Sequence, residues 1–148
     1  LSIQFALIAA AAMTTSVATP APGLPDAVAS VLREYRAAME ARSIERLAAV
    51  FDPDLFLFEG THQNVGWADY RDNHIGPEMK EWSEFKVLDT RVADAVITAD
   101  IACISILSTY RIVVAGKPVR LAAAESFVLV RREGGWKIRH LHSSGKKL

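Results

Sequence analysis

Residues 124–144 read AESFVLVRREGGWKIRHLHSS, and this stretch decides the fold. On either side of Glu133-Gly134-Gly135 the residues alternate with period two, and the turn composition between the two arms predicts adjacent antiparallel strands. Working outward toward the N-terminus, the same period continues back to Ser83. It predicts strands over residues 83–93, 95–114, 119–132 and 136–143, broken at Ala93-Asp94, at Gly116-Lys117-Pro118 and at the diglycine turn. In the second of these, Ile97, Ile101 and Leu107 alternate opposite Val96, Ile104 and Ile106, so both faces are apolar over part of its length. The outer face of the sheet is therefore expected to pack against a second copy of the chain.

Upstream of Ser83 the period changes to that of a helix. Pro25 and Asp26 suit a first turn, and Leu24, Val28, Val31, Leu32, Tyr35 and Met39 recur at helical spacing as far as Arg42. Ser43 can cap a shorter helix through Leu47 and Val50, which Asp52-Pro53 ends because the residue before proline avoids helical angles. Leu55 to Phe58 then reads as a short strand, with Gly60 to Asn64 as a loop. A third helix over residues 67–75 puts Trp67, Tyr70, Arg71 and His74 on one side, and Gly76-Pro77 is expected to stop it. Helices early and strands late argue for an α+β fold, with the helices covering one face of a curved antiparallel sheet.

The chain has 148 residues, 51% of them hydrophobic and 23% charged, enough for one domain with a sizeable core. Seventeen basic residues balance seventeen acidic ones, so no overall field draws in a nucleic acid or an anionic membrane. Neither is expected as a partner. Cys103 is the lone cysteine, which rules out an internal disulfide and leaves any metal to His, Asp and Glu. Residues 1–18 carry no charge, hold the apolar run Phe5 to Met13 and offer Ser16-Val17-Ala18 for cleavage, as a signal peptide would. The expected order is thus a leader over 1–18, a spacer over 19–24, a domain over 25–144 and a tail over 145–148, in a periplasmic or secreted bacterial protein.

Residues 135–144, GWKIRHLHSS, resemble the closing strand of the SnoaL-like branch of the nuclear transport factor 2-like superfamily. Residues 124–132 look like its penultimate strand, and residues 70–79, YRDNHIGPEM, look like the helix end that closes the pocket in small exported members. The resemblance spans about residues 25–144. It implies a cone-shaped, cystatin-like fold in which one long helix and two short ones close over a bent sheet, leaving a cavity at the wide end. It also implies a homodimer. Function is not implied, because the superfamily hosts isomerases, dehydratases, cyclases, epoxide hydrolases and association domains without activity.

His140 and His142 lie two apart on a strand, so their side chains share a face at roughly 6.6 to 6.8 Å between backbone positions. Trp136 and Ile138 are in phase with them while Lys137, Arg139 and Ser143 are not, which points the histidines into the cavity. Two such imidazoles can chelate a divalent transition metal, with His74, Glu59 or Glu125 completing the set. Glu125 is in phase with Phe127 and Leu129 on the neighbouring strand, where it can orient an imidazole or work beside it in proton transfer. His140, His142 and Glu125 are thus the candidate catalytic residues. His74, Trp67, Tyr70, Trp136 and Phe127 are candidate ligand contacts, and His140, His142, His74 and Glu59 are candidate metal ligands.

Each has a plainer alternative. A strand histidine can simply donate to a backbone carbonyl, His74 can answer the negative end of its helix, His62 can be a solvated rim residue, and the aromatic residues can be core. Three functions follow: a cavity that binds a small, mostly apolar molecule, an acid-base enzyme of isomerase, dehydratase or hydrolase type using the same His/Glu cluster, and a non-catalytic dimerisation module.

Overall fold

Helix α1 (Asp26–Ala41) begins just inside the part of the chain that the computed structural model describes, residues 23–148. The expected leader, 1–18, lies outside the described residues. Val28, Leu32, Tyr35, Ala38 and Met39 fall on one buried face of α1, the stripe that its spacing predicts. The helix ends in Arg42, left-handed at φ 51°, whose guanidinium reaches the carbonyl of Trp82. Ser43 then caps α2 (Ile44–Val50) by accepting the Arg46 N–H at 3.3 Å.

With no loop between, α2 passes into β1 (Phe51–Glu59), which starts four residues before the expected strand. Phe51 explains the early start. Its ring stacks on Trp67 at 5.3 Å and meets the edges of Tyr35 and Tyr70, so burial holds the segment extended despite Pro53. The expected loop after it forms a hairpin: β2 (His62–Val65) pairs back on β1 from Glu59–His62 to Phe56–Val65.

The third helical region is one run in three parts, α3 (Trp67–Tyr70), a π-helical turn (Arg71–Ile75) and α4 (Gly76–Glu81). Gly76-Pro77 does not stop it. The Gly76 N–H bonds to the carbonyl of Arg71 five residues back, and Pro77 sits in the first turn of α4, where its missing N–H costs nothing. A Cβ on residue 76 would lie 2.3 Å from the Arg71 oxygen, so this wide turn requires glycine.

Four long strands follow, β3 (Trp82–Ile97), β4 (Ile101–Val114), β5 (Lys117–Arg132) and β6 (Gly135–Lys147). Two of the expected breaks are the hairpin turns. The third is displaced: Ala93-Asp94 lies inside β3, where the register slips between Val92 and Asp94, and the chain turns at residues 98–100. There the Thr98 hydroxyl oxygen accepts the Ile101 N–H at 3.1 Å. At the other end β6 runs past the expected domain limit, with Lys147 opposite Leu121.

The sheet order is β2-β1-β6-β5-β4-β3, antiparallel throughout except that β1 and β6 run parallel. Three register shifts along β3 help bend the sheet. Ile104 and Ile106, Phe127 and Leu129, and Ile138 and Leu141 bury one face of it under α1. The result is an α+β cone, helices on one side of a curved, unclosed sheet.

Candidate functional site

Continuing along the inner face, the residues in phase with Ile104 and Ile106 on β4 are Ser108 and Tyr110, and the one in phase with Phe127 on β5 is Glu125. All three are buried, and pairing of Ile106 with Glu125 brings them together. The Ser108 hydroxyl donates to Glu125 Oε2 at 2.8 Å and the Tyr110 hydroxyl donates to the same oxygen at 2.5 Å. Burial pushes the Glu125 carboxyl above the usual carboxylate range, against the pull of both hydroxyls and of the Arg36 charge.

These groups stand in a cavity of about 100 Å³ between α1, the third helical region and the sheet. Tyr35 and Met39 of α1, Tyr70 and Ile75 of the helical region, and Trp82 and Phe85 of β3 are among its walls. Glu125 Oε1 has no hydrogen-bond partner among the described residues, and neither has the hydroxyl of Tyr35 or Tyr70. None of these atoms is sealed off, so all three present open valences to the hollow. Burial holds both phenols protonated, available as donors.

At the mouth, Glu59 and Glu78 line both this cavity and an open recess on the surface. Between them the π turn places His74. Its Nε2 is 3.0 Å from Glu59 Oε2 and 3.6 Å from Glu78 Oε1, and its Nδ1 donates to Asn64 Oδ1 at 2.7 Å. Asn64 is buried and is itself fixed by donating to Asp69 Oδ2 at 3.0 Å. Hydrogen bonds to Glu59 and then Glu78 raise His74 to about 9 despite burial, so both ring nitrogens carry protons at neutral pH. His74 in turn holds Glu59 below its ordinary value.

Ligand atoms of Glu59, His74 and Glu78 lie within 4.8 Å of one another, a set able to take a metal ion once the Nε2 proton is displaced. His140 and His142 cannot join it. Both point to the outer face, where His140 stacks on Phe56 at 6.0 Å and His142 meets the edge of Phe58 at 5.9 Å. The cause is a bulge. Leu129 pairs with Ile138 but Val128 pairs with His140, so Arg139 is an extra residue on β6 and the alternation inverts beyond it. Ile138 and Leu141 are consequently the inward residues, and Glu125 sits opposite Ser143 with its side chain on the other side of the sheet from both histidines.

The sequence of this cone matches the profile of the SnoaL-like domain over residues 28–146. The chain belongs to the SnoaL-like family. No curated protein matches it. Among solved structures, this SnoaL-like domain resembles a nuclear transport factor 2-like superfamily protein from Salmonella enterica serovar Typhimurium. The two are 20% identical, covering 80% of this chain and 87% of that one, with a TM-score of 0.73. A proposed ketosteroid isomerase from Shewanella frigidimarina is 23% identical over 80% of this chain and 95% of its own, TM-score 0.67. A proposed dehydratase of the same superfamily from Streptomyces avermitilis is 17% identical over 82% and 95%, TM-score 0.69. At such identities the likeness concerns the fold alone.

Of the ligand contacts expected in this SnoaL-like domain, Tyr70 lines the cavity and His74 stands at its mouth. Trp67, Trp136 and Phe127 pack in or against the core and do not form its walls. Ser108, Tyr110, Tyr35 and Asn64 were not among the expected site residues. The first two were accessible to reasoning, because they continue the inward phase of Ile104 and Ile106. Asn64 was not, since its partner His74 is ten residues away in a helix.

Proposed function

We propose that this SnoaL-like domain binds a small, mostly apolar molecule inside the cone. The observation that carries the reading is Glu125 Oε1, an accessible oxygen of a deeply buried residue, without a partner among the described residues and in the lining of an apolar hollow together with Tyr35 and Tyr70. A few convergent polar groups in an apolar wall are what fixes a ligand's orientation. Size limits the ligand. An apolar cavity of about 150 Å³ accepts benzene, so about 100 Å³ suits a molecule or head group of roughly that bulk or less.

Proton transfer is the second reading, favoured by the same carboxyl, since burial raises it above its ordinary value and makes its carboxylate a stronger base. A divalent metal, if one binds, belongs at Glu59, His74 and Glu78.

Amide NMR titration with small neutral ketones such as butanone tests both readings. Binding is expected to perturb cavity residues, to disappear in Ala123→Leu, which fills the hollow, and to survive in the His140→Ala/His142→Ala double variant. Perturbations indifferent to Ala123→Leu would remove the cavity as the site. In the same tubes, catalysed deuterium exchange at the ketone α-carbon that is lost in Glu125→Gln marks proton transfer, and its absence leaves binding alone.

A further inference from the structure

We propose, resting on the binding reading above, that the cavity's occupant is a small alkylammonium cation. The cavity wall holds three carboxylates, Glu59, Glu78 and Glu125, and among the described residues no lysine or arginine. Two of them stand at the mouth, where His74 answers their charge from the recess side. Glu125 is the deep one. It is 5% exposed, and its free oxygen faces the hollow. The charge of Arg36 acts on Glu125 from α1, but Arg36 is not part of the wall.

Each class of ligand meets this wall differently. An anion would bring like charge beside the buried carboxylate of Glu125 in a medium of low dielectric, where repulsion is poorly screened. A neutral alcohol can donate one hydrogen bond to Oε1 but leaves the carboxylate uncompensated. An ammonium group supplies both an N–H donor and the opposite charge, and charge-assisted bonds of this kind are roughly twice as strong as neutral ones. The remaining wall suits the same ligand. Trp82 stacks on Phe85 at 5.3 Å, Phe85 lies 5.1 Å from Tyr110, and Tyr35 and Tyr70 complete an aromatic lining, the kind of wall that favours a cation over an anion. The volume restricts the alkyl part to about four carbons.

The test titrates the full chain near neutral pH and at fixed ionic strength with n-butylammonium, 1-butanol and butyrate, three probes of matched length. Saturable NMR shifts at cavity residues are expected for the ammonium, with about tenfold weaker binding of the alcohol and none of butyrate. Glu125→Gln keeps an acceptor for Ser108 and Tyr110, so it is expected to fold and to erase the preference for the ammonium while sparing the alcohol. Should that variant not fold, the ranking of the three probes on the unaltered protein still decides. Equal binding of alcohol and ammonium, or stronger binding of butyrate, overturns the ligand class and leaves the binding reading standing. Failure of all three probes to bind overturns both.

Discussion

Asp52 is almost fully buried at the start of β1, and the half-exposed Arg132 at the end of β5 reaches it with an Nε–Oδ2 distance of 2.6 Å. That hydrogen bond, helped by the Asp54 N–H, holds the Asp52 carboxyl below its ordinary value. The sign of the pH effect follows. The stabilisation is complete above the ordinary aspartate pKa of about 3.9 and is lost as pH falls through the lower folded value. Because Arg132 is open to solvent, screening keeps the contribution of the ion pair small. Urea midpoints measured from pH 6 down to pH 2 are expected to fall less steeply in Asp52→Asn than in the unaltered protein. Identical slopes would show that the pair carries no folding energy. At this scale the sequence was readable wherever a polar residue kept the phase of its strand, as Glu125 does with Phe127 and Leu129. The histidines take the outer face because the bulge at Arg139 inverts the phase that runs from Ile138. Leu141, an apolar residue between two histidines and three places from Ile138, is incompatible with unbroken alternation and was the available warning.

Among the elements, the π turn does the most to build the site, since it carries His74 between Glu59 and Glu78 while Asn64 holds its other nitrogen. It depends on Gly76. In Gly76→Ala the added methyl meets the Arg71 carbonyl, and a backbone oxygen cannot step aside as a flexible side chain can. A loss of about 2 kcal/mol or more is expected, measured by urea denaturation, together with a changed His74 ring signal by NMR. A loss below about 0.5 kcal/mol with the His74 signal unmoved would mean that the turn relaxes freely. The long helix α1 and the capped α2 were legible because spacing and a capping serine agree with the tertiary outcome. Strand β2 was not. Its four residues, His62-Gln63-Asn64-Val65, have no apolar alternation, and they are extended because β1 lies alongside and Asn64 is buried under His74.

For the molecule as a whole, one face of the sheet is closed by helices and the other keeps apolar side chains in water. Val96 is 62% exposed, Ile101 46% and Leu107 42%, the last beside a groove floored by Ala122, Ala124, Ser144 and Gly145. We propose that a second copy covers this face, the pairing that the alternation in β4 led us to expect. Light scattering is expected to give a dimer at micromolar concentration, and Leu107→Glu to give a monomer with unchanged circular dichroism. A monomer from the unaltered chain would end the proposal. Fold class was readable at this scale because helices and strands are segregated along the chain. The cavity's size and its mouth were not, since they arise from sheet curvature and from groups far apart in sequence.

Among the described residues the sixth strand in chain order is not at an edge of the sheet. β6 lies between β1 and β5, so the early hairpin has no strand joining it to the rest of the sheet until β6 is made. Before β6 is made a nascent chain exposes two unfinished strand edges, one on β1 and one on β5, and β6 closes both. Any truncation before Gly135 therefore severs β1 and β2 from the rest of the sheet, with the aggregation that unpaired edges invite.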